Sequence, residues 1–263
     1  MGFALTSRYT MIRLILIALI LLVYFLFGFL VMLVIGIAKL FKAQNAADRI
    51  AHAYVRSACK IARVASGLKV DARGVENIPQ DRACLYVVNH RSAMFDPVTI
   101  YPFLKRPAGF IAKKELEKIP LFSWWLLLAN CLFIDRQNIR EGYKTITKAI
   151  EKLQRGVSIL IFPEGTRNKD RESKTSMLPF HDASFKPAVK ANVPIVPIAL
   201  YNTEESFENH KPKIYANNVK ITFGKPIFLN ELDKEDARHP GPYVRKIMEQ
   251  MLAVYEEEAK AGK

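Results

Sequence analysis

His90 and Asp96 carry the clearest chemistry in this 263-residue chain. They lie in the stretch CLYVVNHRSAMFDP, in which an apolar run from Cys84 delivers polar residues to what should be a surface crevice. A carboxylate beside an imidazole fixes its tautomer and stabilises the imidazolium formed when the ring takes a proton. Without a nucleophilic serine the pair reads as a general base. Residues six apart on a regular helix are separated by about 120°, so a direct contact requires an irregular turn. Asp96 before Pro97 supplies one, because Asp caps helices and Pro suits their first position. A cap alone is the competing role for Asp96.

A second stretch, Phe162 to Asn168 (FPEGTRN), follows the apolar run VSILI. Its Pro and Gly break the strand into a turn with free backbone N–H groups, and Arg167 can grip a phosphate through two parallel hydrogen bonds. The stretch lacks further glycines and a Lys-Ser/Thr pair, so it is not a nucleotide P-loop. A polar loop with a surface arginine is the plainer alternative. Lys113 and Lys114 follow the strand-like FIA run, and CLFIDR ends in Asp135 and Arg136, as much an ion pair as a ligand contact. VPIVPIAL, Val193 to Leu200, holds two prolines, which predicts an edge or deformed strand beside a cleft.

The elements that must position these residues alternate in type beyond Gly67. Strands are expected near 68–73, 83–88, 109–112, 131–134, 157–162, 194–200 and 219–223, and helices near 97–105, 141–155, 184–192 and 242–258. This pattern predicts an α/β catalytic domain over 67–263, with a central, mostly buried sheet flanked by helices. Residues 1–66 read as a separate membrane-associating pair of helices. From Leu14 to Ala38 no residue is charged for 25 positions. A helix of that length extends roughly 37 Å, enough to cross a hydrocarbon core of about 30 Å, although a helix lying in one leaflet fits the same residues. The apolar region exceeds that of a cleaved signal peptide. Six basic residues follow it closely, which places the remaining chain on the cytoplasmic side. Between Asn45 and Ser66, Ile50, Tyr54, Ala58, Ile61 and Ala65 form an apolar stripe, while Arg49, Arg56, Lys60 and Arg63 form a basic face suited to phospholipid headgroups.

The formal charge of +14 favours an anionic partner. Nucleic acid is disfavoured because no basic-aromatic motif accompanies the charge. Cys59, Cys84 and Cys131 have no metal-ligand spacing and read as reduced core thiols. No metal or bound cofactor is expected.

Taken in order and at these intervals, NHRSAMFDP, AKKELEKIP, IDR, FPEGTR and VPIVPIAL resemble the glycerolipid acyltransferase family, in particular the bacterial lysophosphatidic acid acyltransferases. The resemblance covers roughly residues 70–200, and the two-helix region before it is also similar to bacterial members. It implies transfer of a fatty acyl group from acyl carrier protein or coenzyme A to the sn-2 hydroxyl of 1-acyl-glycerol-3-phosphate, giving phosphatidic acid in phospholipid biosynthesis. It further implies His90 as general base and Asp96 as its orienting carboxylate. Lys113, Arg167 and, more weakly, Arg136 become phosphate contacts, and Glu164, Gly165 and Thr166 the acceptor-binding turn. The implied location is the bacterial inner membrane, with the catalytic domain on its cytoplasmic face. Two departures stand out. The family places four residues between His and Asp where this chain has five, and Ala183, Ser184 and Phe185 replace a Gly-Ala-Phe. These changes keep other acceptors in play, such as glycerol 3-phosphate or another lysophospholipid. A non-catalytic lipid-binding protein on the same fold is the alternative of a different class.

Overall fold

The computed structural model describes residues 2–120 and 122–261. Two long helices, α1 (Gly2–Leu40) and α2 (Gln44–Ser66), precede an α/β domain. In chain order the domain contains β1 (Lys69–Arg73), β2 (Leu85–Val88), α3 (Phe95–Ile100), β3 (Ala108–Lys113), α4 (Phe122–Leu128), β4 (Leu132–Ile134) and α5 (Ile139–Gln154). It continues with β5 (Ser158–Ile161), α6 (Lys186–Ala191), β6 (Ile195–Tyr201), β7 (Asn218–Phe223), α7 (Lys234–Arg238) and α8 (Gly241–Ala261). The strands form one sheet in the order β1-β7-β6-β2-β5-β3-β4. All neighbours are parallel except β6 and β7.

A mainly parallel sheet is covered on both faces, so its central strands are apolar throughout. β2 and β5 are buried at every position. Their side chains alternate between two cores. Leu85 and Val87 pack with Leu153, Ala188 and Met248 from α5, α6 and α8, while Tyr86 and Val88 pack with Ile100, Leu104 and Phe223. The expected strands and the four expected helices all appear. The sequence pattern missed α4, whose FSWWLLL has no polar face to reveal a period, and the five-residue α7.

The prolines did not put β6 at an edge. It lies inside the sheet between β2 and β7. Pro194 precedes the strand and its carbonyl accepts the Leu85 N–H at 3.0 Å. Pro197 stands where the β7 ladder has ended, since that register begins at Ile198, and its carbonyl accepts the Gly224 N–H at 2.9 Å. No ladder donor is therefore lost to the prolines.

The basic face expected on α2 is also divided. Arg49 and Lys60 are exposed, but Arg56 Nε donates to the Pro102 carbonyl at 3.1 Å and Arg63 lies 5.8 Å from the Phe103 ring centroid. These two arginines dock the helix on the domain, and the apolar stripe meets α1. Tyr54 stacks between Tyr24 of α1 and Trp125 of α4 at centroid distances of 4.3 and 4.5 Å. Gly28 lies under Trp125, where any Cβ would overlap the indole. Ile17 packs beside Leu68 and Phe95, and Ile35 against Ala47 and Ala51. Thus α1 runs back along α2 while Leu19, Val23, Phe27, Leu30 and Leu33 face outward. Two buried polar residues of α2 complete the docking. Asp48 accepts from Asn130 and Arg155, and His52 bridges the Leu104 carbonyl and the Ala108 N–H.

Candidate active site

The polar ends of β2, β5 and β6 emerge together at the C-terminal edge of the sheet, the edge where such folds place ligands. Just past β2, the Asn89 amide pairs with both backbone groups of Leu200 on β6, at 2.7 and 2.9 Å, and so extends the ladder with a side chain. His90 follows. Its backbone N–H donates to Glu164 Oε1 at 2.7 Å, its ring stacks on Phe162 at 4.0 Å, and its Nδ1 lies 2.9 Å from Asp96 Oδ2. Asp96 is fully buried and His90 is 15 % exposed.

The five intervening residues do not separate the pair. Asp96 Oδ2 also accepts the Arg91 and Ser92 N–H groups, both at 3.0 Å, which folds the loop back on the carboxylate. Asp96 Oδ1 accepts the Thr203 hydroxyl at 2.6 Å. Asp96 is not the helix cap that the sequence suggests: Met94 holds that position, Asp96 is the second residue of α3 and Pro97 the third, and the Asp96 carboxylate binds the preceding loop and the histidine at once. With Nδ1–H donated to Asp96, Nε2 holds the lone pair and is the atom able to take a proton.

Glu164 stands behind the turn rather than open to a ligand. Its two oxygens accept the His90 and Leu178 N–H groups, each at 2.7 Å, and burial raises its pKa above the ordinary value. Its role in this geometry is to hold the backbone of His90. Gly165 adopts φ +69°, the conformation that favours glycine, while a Cβ there would come within 2.8 Å of the ring of the exposed His181, which would have to turn aside. Thr166 is exposed.

The turn is a wall between two cavities. On one side Arg167 faces a cavity of about 210 Å³, net basic because Arg91, Lys169, Arg171 and Lys211 line it along with the carboxylates of Asp170, Glu204 and Glu208. On the other, Phe162 and Gly165 border a cavity of about 360 Å³ lined by Ile111, Ile134, Ile139, Tyr143, Ile146 and Ile161. Arg136 lies on the wall of this apolar cavity. Lys113 lines neither cavity and makes a surface pair with Glu115 at 2.8 Å. Among the described residues no group of three His, Cys, Asp or Glu could share a metal ion.

Sequence reasoning passed over the segment after β6. Thr203 supports Asp96, Glu204 forms a buried pair with Arg91 at 2.8 Å, and Glu208 accepts from Ser92 and Ala93. The available signal was an acidic cluster directly after a buried strand, which looks like a solvated turn until the opposing loop is in place.

A carboxylate-supported imidazole on this edge, with a basic cavity and an apolar cavity on either side of one turn, is an arrangement suited to an α/β enzyme that handles an amphiphilic molecule. The comparisons identify which. An acyltransferase family model matches residues 69–201, and the chain belongs to that acyltransferase family. It is 31% identical over 195 residues to the 1-acyl-sn-glycerol-3-phosphate acyltransferase of Salmonella typhimurium, covering 73% of this chain and 76% of the relative. It is 35% identical over 159 residues to the protein of the same name from Borreliella burgdorferi, covering 60% and 62%. The crystal structure of the 1-acyl-sn-glycerophosphate (LPA) acyltransferase PlsC from Thermotoga maritima matches with a TM-score of 0.79 and 26% identity, over 95% of this chain and 97% of that one.

Proposed function

We propose that this enzyme transfers a fatty acyl group from a thioester to the sn-2 hydroxyl of 1-acyl-glycerol-3-phosphate, forming phosphatidic acid, with His90 as general base. The observation that carries the reading is the 2.9 Å His90–Asp96 contact set against a turn with a basic cavity on one side and an apolar cavity on the other. The names of the relatives supply the acceptor.

In the step this arrangement supports, the acceptor hydroxyl attacks the thioester carbonyl as His90 Nε2 takes its proton. The tetrahedral oxyanion collapses, the carbon–sulfur bond breaks, and the leaving thiolate recovers the proton from the imidazolium. Positioned proton transfer contributes a factor of about 10² to 10⁴; orientation of both substrates and stabilisation of the oxyanion supply the rest. Arg167 would hold the acceptor phosphate from the basic cavity, and the apolar cavity suits an acyl chain. The donor is an acyl thioester of acyl carrier protein or coenzyme A, whose chemistry at the carbonyl is the same.

The membrane reading follows from α1. Its apolar stretch Ile15–Leu40 has a mean hydropathy of 3.1. Because α1 is packed along α2 from Ile17 to Ile35, a helix crossing the bilayer would draw α2 and the domain edge in with it. The arrangement therefore favours a helix lying in one leaflet, its outward apolar face among acyl chains. The domain would then work at the cytoplasmic face of the inner membrane, where the lysophospholipid acceptor is held.

Product analysis in vesicles, with a panel of lyso-acceptors and both donor types, tests the proposal. Phosphatidic acid from lysophosphatidic acid, lost in His90→Ala, is the expected result. Undiminished transfer by His90→Ala would remove the base, and exclusive use of an acceptor without a phosphate would remove the Arg167 assignment.

A further inference from the structure

Glu208 lies where the loop carrying the base meets the turn carrying Arg167. Its Oε2 accepts the Ser92 hydroxyl at 2.6 Å, its Oε1 accepts the Ala93 N–H at 2.8 Å, and Oε1 is 3.7 Å from Arg167 Nη1. The first two contacts close the five-residue loop between His90 and Asp96. Ser92 in turn accepts the Phe95 N–H at 2.8 Å, so the chain of bonds reaches the residue before Asp96. The third contact is different in kind. At 3.7 Å it is an ion pair beyond hydrogen-bond reach, so the donor groups of the guanidinium are not spent on Glu208. The carboxylate is nearly buried, with 8% exposure, and borders the same basic cavity as Arg167, Arg91, Lys169 and Lys211.

We propose that Glu208 is a positioning residue with two linked roles. It holds the loop that presents Asp96 to His90, and its charge balances Arg167 until the phosphate of the acceptor takes that place. The second role rests on the reading of Arg167 as the phosphate-binding residue. In this arrangement acceptor affinity is lowered by competition from Glu208, and the same competition joins phosphate binding to the loop that sets the base.

The test uses the full-length enzyme in vesicles, with acceptor and donor saturation curves and inhibition by inorganic phosphate. Glu208→Ala removes both acceptors from the loop and lowers kcat on the order of 10²-fold, the loss expected when a catalytic group shifts by about 1 Å. Glu208→Gln keeps an amide oxygen for the Ala93 N–H but carries no charge. It regains most of the lost kcat, lowers the acceptor KM roughly three- to tenfold, as for release of a partly exposed ion pair, and makes inorganic phosphate a stronger inhibitor, while the donor KM stays in place. Ser92→Ala, which removes the hydroxyl's bonds to Glu208 and to the Phe95 N–H but leaves the Glu208 charge in place, lowers kcat without the change in acceptor KM. Thermal unfolding of each variant separates these effects from misfolding. Loss of kcat in Glu208→Gln equal to that in Glu208→Ala, or an acceptor KM and phosphate inhibition that do not move, overturns the proposal. If Arg167→Ala leaves the acceptor KM unchanged, the phosphate reading itself fails, and this is distinct from a Glu208 variant that fails beside a sensitive Arg167.

Discussion

At the scale of residues, the site is set by which atoms are already occupied. Asp96 has three donors on one oxygen and Thr203 on the other, so its carboxylate is fixed before any substrate arrives. Asp96→Asn places an N–H₂ group where a carboxylate oxygen accepts, which disfavours the tautomer with Nε2 free. It should lower kcat by a factor of about 10² to 10⁴ with a much smaller change in acceptor KM, as measured by steady-state kinetics. An unchanged kcat would show that Asp96 does not set the imidazole, and a fall in kcat matched by loss of folded protein in thermal unfolding would make its role structural only. Gly165→Ala combines an unfavourable positive φ with a 2.8 Å approach to His181. A loss of about 1–2 kcal/mol in denaturant unfolding is expected, and an unchanged midpoint would show that the turn relaxes freely.

At the scale of elements, α2 is held by polar groups that burial makes sensitive to pH. His52 accepts from the Ala108 N–H and bridges to the Leu104 carbonyl, an arrangement made by the neutral ring. Burial, aided by the positive charge of Arg56, holds its pKa below the ordinary 6.5. Between that lowered value and 6.5, the unfolded chain binds a proton that the folded chain refuses. The stability from this group is therefore complete above about pH 6.5 and declines as the pH falls below it. Melting temperatures across that window should fall in the wild type and be flatter in His52→Gln; parallel curves would assign the acid sensitivity elsewhere. The α1 packing is controlled by Gly28. Gly28→Leu should separate α1 from Trp125 and show an earlier unfolding transition, and an intact transition would mean that the α1–α4 contact contributes nothing measurable.

At the scale of the whole molecule, the outward face of α1 does not stand alone. Phe122, Trp124 and Leu127 on α4 are exposed on the element that packs against α1, with Ile119 just before it. A protein lying in one leaflet would bring this face to the interface, where Trp is favourable. In a variant with Trp125 replaced by Phe, Trp124 is left as the single tryptophan. Its fluorescence should be quenched by lipids brominated near the headgroup more than by lipids brominated deep in the chain. Absence of quenching at either depth would place α4 in water.

The chain alone determined the sheet strands and most of the helices, because buried parallel strands and amphipathic helices write their periods directly into local sequence. It also marked His90, Asp96 and the turn at Phe162–Asn168, where polar residues interrupt apolar runs. Of the two readings of β6, an edge or a deformed strand beside a cleft, the edge fails, because prolines were judged without the register that makes their missing donors harmless. The chain alone read the basic face of α2 as one surface, whereas two of its arginines are taken up by carbonyl and ring partners on the domain. Only tertiary structure decided that five residues bring Asp96 to His90, since that contact depends on Thr203 and Glu208, more than a hundred residues away in the chain. Hydrogen bonds between such distant segments leave no local period to read, and they are what fixes the imidazole in place.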